Sequence, residues 1–311
     1  MGTFYERAPL SQKATPAGLS FDPNREIVVP RDAATVIVVR VAPGAARTVE
    51  VFCVVRHAKS GFLGGAVVFP GGKVDEADAA DAWHVEGNSA IAQGLPERPL
   101  EIADDLRKAR AVAVSAARET LEEAGVVPVA TAVDKSKVAA MRAAADAKRP
   151  LADVLAEHGA VLDLGALIPF ARWITPEAEA RRFDARFFVV ELPAGQEATS
   201  DGHETTAGFW ATPSAVIDRF MRGEVQLAPP TTRCLELLAP ARSFADVVAI
   251  ARRQSLAPVC PRFCPGDPPF LALPGDPAHE VHELRVEGPT RFVLRDGRFV
   301  SEAAPDHDPE A

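Results

Sequence analysis

Between Ala116 and Val127 the chain reads AARETLEEAGVV, three glutamates within five positions behind an arginine. Ala, Arg, Leu and Glu favour helix, Gly125 is the residue preferred just past a helix end, and Val126-Val127-Pro128 reads as exit into extended chain. At about 100° per residue, Glu119, Glu122 and Glu123 fall within about one third of the helix circumference. Like charges on one stripe repel unless a cation or a basic partner neutralises them. The stripe is therefore either a solvated helix face or a seat for a divalent metal, and the segment alone favours the first. Arg118 stands four positions before Glu122, the spacing at which a guanidinium could orient that carboxylate through a bidentate pair.

The elements around the stripe change that balance. TVIVVRVAP (35 to 43) and TVEVFCVVRHA (48 to 58) are β-branched runs that predict neighbouring strands. GGAVVFPGGKVD (64 to 75) is a further apolar run ending on Pro70-Gly71-Gly72, a turn signal, where backbone can approach a ligand without an intruding Cβ. Residues 103 to 125 read as one long helix capped by Asp104 or Asp105, and 134 to 159 as two helices broken at Pro150. Strands are predicted over 164 to 176 and 182 to 193, then a strand and a helix over 205 to 225, with Pro213 starting the helix. One more helix is expected past Pro230, then Pro-rich irregular chain, a hairpin over 290 to 300 turning at Asp296-Gly297, and a disordered acidic tail. The interleaving lacks a regular βαβ period, so the expectation is a mixed sheet covered by helices.

With these residues in place the chain resembles the Nudix hydrolases. Their signature is Gly, five residues, Glu, seven residues, then Arg-Glu-aliphatic-x-Glu-Glu-x-Gly-aliphatic. The second half stands here as Arg118 to Val126, with Thr120 in an aliphatic slot, and the first as Gly72 followed six positions later by Asp78, one methylene shorter than the usual Glu. Asp78 and Arg118 are 40 positions apart where the compact motif has 8, an insertion of 32 residues. One branch of the family, the coenzyme A diphosphatases of the peroxisomal Nudix-type-motif-19 kind, is similar in that split. WITPEAEARRFDARFFVV (173 to 190), ETTAGFW (204 to 210) and LAPPT (227 to 231) resemble the same branch, so roughly 30 to 240 is covered. Another coenzyme A branch carries an extra signature before the box. Arg56, Gly65 and Phe69-Pro70-Gly71-Gly72 match its spacing, whereas His57 and Gly61 replace two of its positions.

The resemblance implies an α/β Nudix-type α/β/α sandwich with a mixed sheet. Residues 1–30 would be an N-terminal segment and 31–240 the hydrolase domain, with the insertion at about 79–110. Residues 241–311 would be a C-terminal extension. It implies Mg²⁺ or Mn²⁺ on Glu119, Glu122 and Glu123, with Glu119, Arg118 and Glu204 in catalysis and Arg56, Gly71 and Gly72 binding substrate. Carboxylate oxygens fixed on a helix suit such hard cations, and a metal pair can clamp a diphosphate and activate water. The implied reaction cleaves a diphosphate between a nucleoside and another group, coenzyme A or acyl-CoA first, giving 3′,5′-ADP and 4′-phosphopantetheine or its acyl form. NADH, ADP-ribose and dinucleoside polyphosphates are alternative substrates. A nucleotide-sensing protein without activity is the rival of another class, disfavoured by retention of all three glutamates.

Bulk properties agree with a small-molecule enzyme. The 311 residues are 47% hydrophobic and 25% charged, and the net charge of −9 argues against sequence-independent binding of nucleic acid. No apolar run approaches the length of a membrane span, and the first residues carry neither a secretory h-region nor a myristoylation site. The final Pro-Glu-Ala is no peroxisomal tripeptide, so a cytoplasmic location is the expectation. Four cysteines make no disulfide scaffold. Cys260 and Cys264 lack two nearby zinc partners beyond His279 and His282, so free thiols are expected. The insertion is expected to shape the substrate pocket or a homodimer contact. Phe62, Trp83, Trp173 and Phe209 are the candidates for stacking on a base.

Overall fold

The computed structural model describes residues 21–42, 48–57, 64–84, 91–200, 202 and 205–305. Strands β1 (Arg31–Val41) and β2 (Val49–Arg56) pair antiparallel, with β3 (Val67–Val68) added to β2 and β4 (Gly71–Lys73) to β1. A short β5 (Ala92–Gln93), a short α1 (Pro99–Ile102) and the long α2 (Leu106–Ala124) follow. Next come α3 (Lys135–Asp146), α4 (Leu151–His158) and β6 (Leu162–Asp163), the last parallel to β5. Strands β7 (Ile168–Ile174), β8 (Phe183–Glu191) and β9 (Thr205–Ala211) complete a seven-stranded sheet. After α5 (Pro213–Met221), α6 (Pro229–Leu238) and α7 (Phe244–Arg253) a second, antiparallel sheet closes the chain. Its strands are β10 (Arg262–Cys264), β11 (Phe270–Ala272), β12 (Arg291–Arg295) and β13 (Arg298–Glu302).

The main sheet is mixed because central β1 runs parallel to β8 and antiparallel to β2 and β4. Both faces of β1 are covered, which is why its sequence is an unbroken apolar run rather than an alternating one. Val36 and Val38 pack in one apolar cluster with α2, α3 and α4. Ile37 and Val39 pack in a second cluster with α5, α6, α7 and the C-terminal sheet. The result is the α/β/α sandwich expected from the sequence. Among the described residues no helix is long and apolar enough to cross a membrane.

Helix α2 is built to lie close to the sheet. Asp105 caps it by accepting from Lys108 N at 2.7 Å, and Gly125 ends it in a left-handed conformation at φ 63°. Its buried face is mostly alanine (Ala109, Ala113, Ala116 and Ala117 are fully buried), so the helix backbone can approach β1. Thr120 fits its aliphatic slot because its hydroxyl donates to the Ala116 carbonyl at 2.6 Å, leaving no orphaned polar group.

Three sequence expectations are corrected. Gly71-Gly72 is not a turn: Gly71–Lys73 is strand β4, with Gly72 opposite Ala34 and Gly71 opposite Thr35. Two helices, not one, follow Pro230, and the chain expected to be irregular holds β10 and β11. The missed α7 carries a legible signal, a Ser243 cap accepting from Asp246 N and a buried stripe at Val247, Ile250 and Ala251. The long helix begins at Leu106, so the end of the expected insertion already belongs to it. The hairpin at Asp296-Gly297 forms, with both residues at positive φ. Of the acidic tail, residues 306 to 311 lie outside the described residues.

A Cβ added to Gly71 would stand 2.4 Å from the Ala34 carbonyl oxygen and 2.7 Å from Thr35 Cα, both backbone atoms that cannot move aside. Gly71→Ala is therefore expected to cost about 2–3 kcal/mol of stability by pushing β4 off β1, read as a lower midpoint in urea unfolding.

Candidate metal and active site

The site forms where the C-terminal half of α2 crosses the β4 edge of the sheet. Arg118, Glu119, Glu122, Glu123, Gly71, Gly72 and Arg56 all line one cleft of about 1490 Å³. Glu204 and Phe62 lie outside the described residues. The inserted segment reaches the cleft wall through Ala82 and Trp83, and Trp173 lines it from β7. Phe209 does not line it; the guanidinium of Arg219 lies over its ring instead.

Gly72 and Glu119 are in closest approach. A Cβ on Gly72 would fall 2.4 Å from Glu119 Oε1 and 2.7 Å from Oε2, so the absent side chain is the space that the carboxylate fills. Gly71 donates its N–H to Glu123 Oε2 at 3.0 Å, which fixes the second carboxylate against the same strand. Glu123 is buried, and Glu122 is the most open of the three at 22% side-chain exposure. The two glycines thus act through adjacent pairs, one by vacancy and one by donation.

Arg118 does not make the expected fork with Glu122, which stands 3.6 Å away. Its Nε and Nη2 donate to the two oxygens of Asp78, each at 2.9 Å. Nη1 donates to Glu119 Oε1 at 2.8 Å, and Nη2 also reaches the Lys73 carbonyl at 3.0 Å. Geometry explains the preference. Asp78 is fully buried, and its Oδ2 already accepts from Asp75 N at 2.9 Å, so an uncompensated carboxylate there would be costly. A bidentate guanidinium supplies the compensation, and the one-methylene-shorter Asp fits the span. Asp78 is the site residue that sequence reasoning left without a role. The signal was its place six positions after Gly72.

The electrostatics follow from this packing. Burial pushes Glu119 up to about 7, partly offset by the charge and hydrogen bond of Arg118, while Glu122 and Asp78 add to the rise. Glu122 is also raised, again by burial first, with Arg118 and Lys148 opposing. Burial works against the Arg118 charge, but Asp78, Glu119 and Glu122 outweigh it and hold the guanidinium firmly protonated. Among the described residues no three acidic, His or Cys side chains are gathered into a ready-made ion cage. Glu119 faces Arg118 and Glu123 faces Gly71 instead. The donor set nevertheless suits a hard cation: oxygen only, on one helix stripe, with burial raising Glu119 and Glu122 toward the neutral form.

Other arginines of this region are partly engaged elsewhere. Arg172 is forked onto Asp184 at 2.9 and 2.7 Å, and Arg182 donates to the Val28 and Thr175 carbonyls. Arg181 lines the cleft, and Arg56 lines it with an Nε that has no hydrogen-bond partner among the described residues. Cys260 and Cys264 are free thiols, and His279 is bonded through Nε2 to the Cys260 carbonyl.

Gly72 does not have a positive φ, so alanine is conformationally allowed and only Glu119 obstructs it. Gly72→Ala is expected to leave stability within about 1 kcal/mol of wild type while displacing the Glu119 carboxylate. Turnover of any substrate of the cleft should fall about 100-fold, measured beside a thermal melt.

Comparison with known proteins agrees with this geometry. The family model described as the NUDT19 Nudix domain matches residues 30–237. The chain is 27% identical over 218 residues to the acyl-coenzyme A diphosphatase NUDT19 of Xenopus laevis, covering 58% of this chain and 57% of that protein. It is 28% identical over 298 residues to the protein of the same name from Gallus gallus, covering 79% of each. The chain thus spans little more than half the length of the frog relative. The crystal structure of a NUDIX hydrolase from Alicyclobacillus acidocaldarius superposes with a TM-score of 0.58 at 30% identity, covering 72% of this chain and 97% of that one. A glutamate helix packed on a glycine edge, the arginine–aspartate joint across the insertion and a family match over two thirds of the sequence lead to one assignment: the chain belongs to the NUDT19 Nudix domain family of Nudix hydrolases.

Proposed function

We propose that the chain is a metal-dependent pyrophosphohydrolase that cleaves coenzyme A or acyl-CoA into 3′,5′-ADP and 4′-phosphopantetheine or its acyl form. The observation that carries this reading is the meeting of Glu119 and Glu123 of α2 with the glycine edge of β4, with Glu122 lining the same cleft, which is roomy enough for a nucleotide with a long arm. The names of the frog and chicken relatives support the choice of acyl-CoA over other nucleoside diphosphates.

Glu119, Glu122 and Glu123 are the ligands for Mg²⁺ or Mn²⁺ in this proposal. Bound there, the metal would neutralise the diphosphate and lower the pKa of a coordinated water. The chain's own residues do the positioning. Arg118 and Asp78 hold the start of the stripe against β4, and Gly72 leaves room for the Glu119 carboxylate to orient the attacking water. Water oxygen bonds to one phosphorus, the bridging P–O bond breaks, and the departing phosphate carries away the electron pair. Two phosphomonoesters result. Arg56, Gly71 and Gly72 contact the substrate from the cleft lining, and Glu204, next before β9 in the sequence, assists catalysis.

The test is incubation of the purified chain with coenzyme A, acetyl-CoA, NADH and ADP-ribose in Mg²⁺ or Mn²⁺, with products resolved by chromatography. Release of 3′,5′-ADP is expected. No turnover of any diphosphate with either metal would sink the enzyme reading and leave the sensor reading standing. Glu122→Gln should lower the rate by at least about 100-fold without unfolding the chain, and an unchanged rate would remove Glu122 from the metal site.

The raised Glu119 gives a signed pH prediction. Its folded value of about 7 lies above the ordinary 4.5, so the metal-free fold binds a proton that the unfolded chain releases between those values. The contribution of this group to stability therefore falls as pH rises from about 4.5 to about 7. A metal held by Glu119, Glu122 and Glu123 would compete with that proton for the Glu119 carboxylate. The rise in melting temperature on adding Mn²⁺ is expected to be larger at pH 8 than at pH 6, and Glu119→Gln should flatten that difference.

A further inference from the structure

Among the described residues, three that are not glycine hold a left-handed backbone: Arg98 at φ 50°, Lys148 at φ 61° and Asp296 at φ 47°. That conformation disfavours any residue carrying a Cβ. Two of the three have a visible reason. Asp296 sits in the two-residue turn of the β12–β13 hairpin, which demands positive φ. Arg98 turns its guanidinium onto the Ala251 and Gln254 carbonyls at the end of α7. Lys148 has neither reason. It stands just past α3, where its N–H donates to the Ala145 carbonyl at 2.8 Å and the next N–H to Ala144 at 3.2 Å. Glycine is the residue that closes such a turn best. The lysine ammonium makes no hydrogen bond or close ion pair with any described residue.

The backbone that carries that charge is nevertheless fixed. Helix α3 is locked to α2 by Arg142, whose Nε donates to the Glu122 carbonyl at 3.0 Å and whose Nη1 donates to the Thr199 carbonyl at 2.9 Å. Val138, Met141 and Ala145 are buried in the α2-side core. Lys148 consequently lines the same cleft as Glu119, Glu122 and Asp75. Its charge opposes the rise at Glu122, and it contributes to the lowering of Asp75 that the hydrogen bond from Lys73 leads. Other cations of the cleft near the carboxylates are engaged: Lys73 with Asp75, Arg118 with Asp78 and Glu119, and Arg149 with Glu157.

We propose that Lys148 is a substrate-binding residue whose ammonium contacts non-bridging oxygens of the diphosphate seated beside the α2 carboxylates. This rests on the reading of the cleft as a diphosphate site. A compact ammonium on a flexible stem suits a group that shifts between diphosphate and separated phosphates. The left-handed turn keeps a lysine because glycine, the better backbone, would bring no charge.

Stability and binding should then move apart. Lys148→Gly, Lys148→Met and Lys148→Arg are compared by thermal melts, by kinetics with coenzyme A and Mg²⁺, and by calorimetric binding of pyrophosphate with Mg²⁺, which needs no turnover. K148G is expected to melt at or above wild type, yet its KM for coenzyme A should rise and its pyrophosphate affinity fall by about tenfold or more. K148M should share the binding loss, and K148R should keep most of the affinity. Wild-type pyrophosphate affinity in both K148G and K148M would overturn the proposal, and a lower melting temperature of K148G with that affinity intact would assign the lysine to the fold instead. Should wild type bind pyrophosphate and cleave no diphosphate, the hydrolase reading falls while the binding series still decides Lys148.

Discussion

Gly72 and Glu119 compete for one small volume, and the fold gives it to the carboxylate. Much of the architecture serves that arrangement. Strand β4 must be an edge strand against β1 so that its glycines face the helix. Helix α2 must lie close to the sheet, which alanines on its buried face permit. The helix must also keep its rotation, and Arg118 supplies the peg by entering the pocket of Asp78. Breaking a buried pair of this kind typically costs about 3–5 kcal/mol, because one charge is then left buried without its partner. The contact fixes the rotation of α2 against β4 by geometry, through a fork that two packed apolar residues could not reproduce.

Acid is concentrated where the fold least tolerates it. Asp78 and Glu123 are buried and Glu119 is largely so, and the Arg118 guanidinium pairs with Asp78 and Glu119. Burial is the chief cause of the upward shift of Glu119, with Glu122 and Asp78 adding to it, and a hard cation bound there would relieve it. Under the proposed function, a bound metal would let this acidic chain take an anionic substrate by reversing the field locally rather than globally.

The parts of this site that were legible in the sequence are those set by short-range periodicity and by glycine. The stripe of Glu119, Glu122 and Glu123 follows from helix geometry, and the Gly71-Gly72 pair announces a close approach. What the glycines approach is tertiary information: the sequence suggested a turn facing a ligand, whereas they form a strand facing α2. The partner of Arg118 was hidden for the same reason. Glu122 is the neighbour visible along a helix, while Asp78 is brought in from 40 positions away by the folding of β4 and the short turn after it. Lys148 carried no local signal, because a positive φ shows only in coordinates. Helix α7 was overlooked behind prolines although its cap and stripe obey ordinary rules.

The inserted segment and the C-terminal region are also joined to each other. Arg98 reaches the carbonyls ending α7, Glu97 pairs with Arg252, and Arg186 of β8 holds the Ile102 carbonyl. Phe263, Leu271, Phe292 and Phe299, all beyond residue 240, share an apolar cluster with Ile37 and Val39 of the central strand. Residues past the matched family region therefore complete a core instead of trailing from it. Shared burial of this kind is what couples the opening of one layer to the other. A chain cut after α6 would leave α5 and α6 on the far face of the sheet and strip away part of the support beneath the strand that holds the glycine edge in place.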